Sequence, residues 1–174
     1  MGTWRPDHGK ARRAWAAVLC AGHFPRRREP FFVSGPLFQH QHRVIYGECT
    51  VGNHVYYSRY LDMLEEARGE LFRQLGCPFL ALQEAGTAFP VIGLQMAFKG
   101  AARYDDLLTI ELGVNEMSGI RLNFGFRILN AGGALLAGGE TRHVCAGLDE
   151  KPRRLPKELL EKLQPFLRPP SLAA

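Results

Sequence analysis

The sequence predicts an α+β protein in which one long helix packs on a five-stranded antiparallel sheet. Three observations carry that expectation. Residues 56–75 repeat apolar side chains every three or four positions. Four later stretches alternate apolar and polar residues with a period of two. The links between those stretches are short and rich in turn-forming residues.

Taken in order, Gln39–Glu48 reads as a first strand and residues 50–54 as a turn holding Gly52 and Asn53. The helix follows over about Tyr56–Leu75, with Tyr57, Tyr60/Leu61, Leu64, Ala67, Leu71 and Leu75 on its buried stripe. Gly76 suits a helix stop, and Pro78 lies just beyond it. After a loop containing Gly86, Leu94, Met96 and Phe98 alternate with Gln95, Ala97 and Lys99. Leu108–Val114 and Ile120–Ile128 alternate in the same way, and a fifth strand covers about Ala134–Ala146. The predicted connections are Arg103–Asp106, Met117–Gly119 and Asn130–Gly133, which makes these four strands consecutive antiparallel neighbours. A short amphipathic helix, Pro156–Phe166, closes the chain. One helix cannot cover both faces of five strands, so a remaining face or edge is expected to pair with a second copy. The organisation expected is a basic, flexible extension over residues 1–38, one domain over 39–168 and a tail over 169–174.

Composition narrows the function. With 174 residues, 46% hydrophobic and 22% charged, the chain can build a real core. No apolar run approaches the roughly 18 residues of a membrane span. The net charge of +5 is confined to the start: seven Lys/Arg against Asp7 and Glu29 lie in residues 1–30, leaving fifteen of each sign in the rest. That describes a basic tail and not a basic face, so neither nucleic acid nor membrane is expected as a partner. Four cysteines without a C-x-x-C and six scattered histidines point to reduced thiols in the cytoplasm, with no metal. Gly132-Gly133 and Gly138-Gly139 fit a turn and a strand kink, so no nucleotide cofactor is expected.

The chemistry concentrates in IYGECTVGNHVYYSRYLDMLEEARGELF, residues 45–72. Tyr46-x-Glu48-Cys49-Thr50-x-x-Asn53-His54-Val55-Tyr56, followed by Tyr60-Leu61 and Glu65-x-Ala67-Arg68, resembles the Y-x-D-T-D-x-x-G-H-V-Y…Y-L…E-x-A-R pattern of acyl-CoA thioesterases of the 4-hydroxybenzoyl-CoA thioesterase/YbgC type. Ala102-Arg103-Tyr104-Asp105-Asp106-Leu107-Leu108 resembles the same family's entry into its long third strand. The resemblance spans roughly residues 40–165. It implies a hotdog fold, in which a curved antiparallel sheet wraps a central helix, and hydrolysis of an acyl-CoA or acyl-carrier-protein thioester. It also implies a homodimer or homotetramer, with the pocket between the helix start of one subunit and residues of the other.

Position by position, the family's catalytic carboxylate falls on Thr50, and the backbone N–H that polarises the thioester carbonyl falls on Tyr57. The family's first Asp becomes Glu48, and its Gly becomes Asn53. A threonine hydroxyl is a poor nucleophile without a base and is not itself a base near neutral pH. Three readings follow. Catalysis moves to a neighbour, with Glu65 a helix carboxylate in a family acidic position. Alternatively, the site works without a carboxylate, as in the enediyne polyketide thioesterases that this loop also resembles, where a polar residue acts with a helix Arg; by spacing that Arg is Arg68. In the third, the protein binds an acyl thioester or a partner without catalysis. Asn53 and His54 are candidate substrate-binding residues at the turn, with Asn53 suited to a left-handed backbone and His54 titrating near neutral pH. Arg59, Arg103 and Arg121 are candidates for the carrier's phosphates.

Overall fold

The computed structural model describes residues 37–167, and the expectations for 1–36 and for 169–174 lie outside the described residues. The strands are β1 Phe38–Arg43, β2 Cys49–Thr50, β3 His54–Val55, β4 Val91–Phe98, β5 Leu107–Ser118, β6 Arg121–Leu129 and β7 Leu135–Val144. The helices are α1 Arg59–Gln74, α2 Phe79–Glu84 and α3 Lys157–Leu163, with 3-10 turns at Tyr46–Glu48 and Gln164–Phe166. β1, β5, β6, β7 and β4 form one antiparallel sheet in that order, while β2 and β3 pair only with each other.

The inward alternation is as the sequence predicts. Leu108, Ile110, Leu112 and Val114 of β5 are buried, as are Leu122, Phe124, Phe126 and Ile128 of β6. Each such side chain contributes on the order of 1.5–3 kcal/mol by leaving water. Against this face lies α1, burying Tyr60, Met63, Leu64, Ala67, Arg68, Leu71 and Phe72. The buried stripe is therefore rotated from the predicted one: Tyr57 and Leu61 are exposed, and Met63 and Phe72 take their place. The set 60, 63/64, 67/68, 71/72 follows a 3.6-residue period more closely. The helix ends as expected. Gly76 adopts φ 67°, the Cys77 N–H donates to the Phe72 carbonyl at 2.9 Å and the Gly76 N–H donates to Arg73 at 2.9 Å.

Three further expectations are corrected. The first strand stops at Arg43, because the Glu48 carboxylate accepts the Ile45 N–H at 2.8 Å and turns Tyr46–Glu48 into a 3-10 helix. The strand before Arg103 does not form a hairpin with β5; β4 crosses to the far edge and pairs with β7. Residues 99–106 make that crossing by docking on other elements. Lys99 and Gly100 N–H donate to the Leu136 carbonyl, the Ala102 N–H donates to the Tyr60 hydroxyl at 3.1 Å and the Ala102 carbonyl accepts from Val55 at 3.0 Å. Finally, the loop after Gly76 contains the one-and-a-half-turn α2, too short to show a period, whose Phe79 ring lies 4.5 Å from Phe72.

The β4–β7 seam is tight. A Cβ at Gly139 would collide with the Gln95 carbonyl oxygen and lie 2.8 Å from the Phe126 ring. Gly139→Ala is therefore expected to destabilise the fold by about 2 kcal/mol or more, read as a drop in urea midpoint without change of slope.

Candidate functional site

Two groups of side chains stand out, one at the N-terminus of α1 and one from its middle onward. The first surrounds its N-terminus. Thr50 and His54 face each other directly across the β2–β3 ribbon, so both side chains project from one face with Cβ atoms about 5 Å apart. The reversal between them needs Gly52 at φ 97° and Asn53 at φ 58°. Asn53 is fixed by its neighbours: its side-chain oxygen accepts the Tyr104 N–H at 3.0 Å, and its carbonyl accepts Arg103 Nη1 at 3.2 Å. Burial and then the Arg103 charge lower the His54 pKa from 6.5, which keeps the imidazole neutral at pH 7. The Tyr56 N–H is used by the Glu48 carbonyl at 2.9 Å, whereas the Tyr57 N–H donates to no described residue. It lies just before α1, where the helix dipole is positive.

Behind this loop sits a carboxylate–histidine cluster. His42 Nε2 meets Glu48 at 3.0 Å and its Nδ1 meets Glu66 at 2.8 Å, so one ring from β1 ties the 3-10 turn to α1. His40 Nε2 lies 3.3 Å from Glu66 without hydrogen-bond geometry. Desolvation opposes charging of His42, but the hydrogen bonds and charges of Glu48 and Glu66 together outweigh it and raise its pKa above 6.5. Glu48 is thus structural here: it accepts from Ile45 and holds His42.

The second group lines a cavity of about 570 Å³ between the later turns of α1, α2 and the start of β4. Its walls include Phe72, Phe79, Phe89 and Phe124, with Arg68 and His143 as polar groups and Glu65 at the exposed rim. Arg68 is only 8% exposed, and no described residue hydrogen-bonds or ion-pairs with it. Burial lowers its pKa, with Glu65 acting the other way. His143 Nε2 meets the Thr141 hydroxyl at 3.0 Å and Nδ1 meets the Phe89 carbonyl at 3.2 Å. These partners match a neutral ring that donates through Nδ1 and accepts at Nε2. Burial, then the Arg68 charge, hold the His143 pKa down to about 4, against the Phe89 hydrogen bond.

The structure therefore groups Thr50, Asn53, His54 and Tyr57, and separately Glu65 and Arg68. Tyr57 and Arg68 are eleven positions apart along the cap and helix, about 16 Å along the axis. No motif in the sequence marks His143, although it continues the inward alternation Ala137, Thr141, His143 of the last strand. Glu66 is exposed yet lies within ion-pair distance of both His40 and His42. Among the described residues, no three His, Cys, Asp or Glu side chains are arranged to hold a metal ion. No described helix is long and apolar enough to cross a membrane.

His42, half-buried, and His143, buried, make stability depend on pH with opposite signs. His42 has a raised folded pKa, so its contribution is complete below 6.5 and is lost as pH rises through the folded value. His143 has a lowered one, so its contribution is complete above 6.5 and is lost as pH falls towards about 4, a change of about 3 kcal/mol. Thermal unfolding across pH is expected to show a midpoint that peaks at roughly pH 6–7. His143→Gln is expected to flatten the acid side.

A five-stranded antiparallel sheet against one long helix, with a loop presenting an N–H at the helix start, defines a hotdog-fold protein. Residues 44–163 match the model of the thioesterase-like superfamily, and the chain belongs to that family. It is 35% identical over 129 residues to the acyl-CoA thioester hydrolase YbgC of Escherichia coli O6:H1, covering 74% of this chain and 96% of that one. A hypothetical protein of Thermus thermophilus superposes with a TM-score of 0.69 at 30% identity, covering 74% of this chain and 98% of its own. The dynemicin thioesterase, at 19% identity, superposes with a TM-score of 0.71 over 77% of this chain and 99% of its own, a likeness of fold.

Proposed function

We propose that this protein hydrolyses acyl-CoA thioesters, with the thioester at the Thr50–His54–Tyr57 loop and the acyl group directed to the aromatic cavity. The observation that carries the chemistry is the neutral imidazole opposite Thr50, placed just before an N–H at the positive end of α1 that has no acceptor among the described residues. Water held by the Thr50 hydroxyl gives a proton to His54 as its oxygen attacks the thioester carbon. The Tyr57 N–H stabilises the resulting oxyanion. Collapse breaks the carbon–sulfur bond, and the thiolate takes the proton from His54, leaving free acid and thiol. The loop is exposed at Thr50 and Tyr57 and lies in reach of Arg103, a cation suited to the phosphates of coenzyme A or of a carrier protein's pantetheine arm. Glu65 and Arg68, on this reading, serve the acyl end.

A second copy brings the two groups together. β4 is a sheet edge with Val91, Ile92, Leu94 and Phe98 exposed. Antiparallel pairing of two such edges would set Val91, at the cavity rim, beside Phe98 of the partner subunit. Phe98 packs on Tyr60 at 5.3 Å, next to the thioester loop. A homodimer, alone or doubled into a tetramer, is the assembly this supports. Ile92→Lys is expected to yield monomers in sedimentation and to lower kcat/KM at least tenfold. Cytoplasmic residence is supported by free thiols at Cys49, Cys77 and Cys145.

Release of thiol from a panel of aliphatic and aromatic acyl-CoA substrates tests the function. Turnover of at least one is expected, and turnover of none would overturn it. The threonine at the family's carboxylate position favours a second reading, an acyl-binding protein without catalysis. That reading expects binding without thiol release.

A further inference from the structure

We propose that the preferred acyl group carries a carboxylate at its far end, bound by Arg68 inside the aromatic cavity. This rests on the reading of the cavity as the acyl pocket. A guanidinium that opens only onto a largely apolar cavity is best matched by an anion, because a charge held away from bulk water without a partner is costly. Arg68 is more than nine-tenths buried, lines the cavity and has neither among the described residues.

The groups around it do not supply the missing charge. His143 is neutral, with its two nitrogens engaged by Thr141 and Phe89. Glu65, one turn earlier on α1, is exposed at the rim, so its charge favours the guanidinium only from a distance and forms no ion pair with it. The remaining walls are largely aromatic and aliphatic. An acyl chain with an apolar body and a terminal carboxylate matches both parts of that lining. The carboxylate would accept two parallel N–H bonds from the planar guanidinium, which is the geometry Arg favours. A purely hydrocarbon acyl chain would fill the walls and leave Arg68 unpaired and further desolvated.

The experiment compares matched CoA thioesters that differ in one group: 4-carboxybenzoyl-CoA against benzoyl-CoA, and glutaryl-CoA against pentanoyl-CoA. The intact protein is expected to favour the acid-bearing member of at least one pair by tenfold or more in kcat/KM. Arg68→Met is expected to reduce that preference at least tenfold, whatever it does to the absolute rates, and Arg68→Lys to restore part of it. A preference for the neutral members, or a ratio unchanged by Arg68→Met, overturns the proposal. Calorimetric titration with benzene-1,4-dicarboxylate reads the same contact without catalysis. Binding by the intact protein that Arg68→Met abolishes supports the site even if no thioester is cleaved, in which case only the hydrolytic reading fails. Absence of binding together with equal rates on both members contradicts it.

Discussion

His54→Ala is expected to lower kcat by about 10²–10³-fold while KM changes little, because the imidazole takes its proton only in the transition state. The sign of the pH dependence follows from the same group. Water is activated by the neutral ring, so kcat/KM should fall as pH drops through the His54 pKa, which lies below 6.5. Arg103 is one of the two causes of that depression. Arg103→Gln should therefore move the acid limb upward in pH, towards the ordinary histidine value. A limb that does not move in Arg103→Gln, or that persists unchanged in His54→Ala, would assign the base elsewhere.

The second large effect concerns the support of the loop. Glu48→Ala removes two contacts at once: the acceptor for the Ile45 N–H and the partner of His42 Nε2, the carboxylate that helps charge His42. Hydrogen bonds to charged, largely buried groups are worth more than neutral ones, and the expected loss is about 2–3 kcal/mol. The deletion also frees the 3-10 turn that leads into β2. Thermal unfolding should show a lower midpoint together with weakened alkaline dependence, since His42 loses one of its two carboxylates. Glu48→Gln keeps the Ile45 contact through its side-chain oxygen and should recover part of the stability, with the pH dependence still weakened because only Glu66 then favours charged His42. If both variants match the parent in midpoint and pH profile, the cluster does not hold the loop.

Much of the fold was legible in the sequence because period decides it. Strict alternation through Leu108–Val114 and Ile120–Ile128 could only be two half-buried strands, and Gly76 with Pro78 could only end the helix between them and the tail. What failed was information that period does not carry. Whether β4 pairs with β5 or with β7 depends on where residues 99–106 dock, and that rests on Tyr60 and Leu136. The first strand was overextended because a side chain, Glu48, competes for the Ile45 N–H. At the site, the family pattern located Thr50, Tyr57 and Arg68 along the chain. Their separation by about 16 Å of helix follows from the axial rise, and the cavity that distinguishes them needs α2 and β7 in place. His143 remained invisible because a lone histidine on a strand has no spacing to mark it.

The central claim is that a loop lacking the family's carboxylate still hydrolyses thioesters. Single-turnover thiol release from one acyl-CoA, by the parent protein and by Thr50→Asp side by side, tests it most directly. The parent is expected to release thiol, and Thr50→Asp to be slower, because a carboxylate opposite His54 would pair with the imidazole and hold its proton. A parent near zero with a large gain in Thr50→Asp would contradict the claim and mark a site whose catalysis was lost with the aspartate.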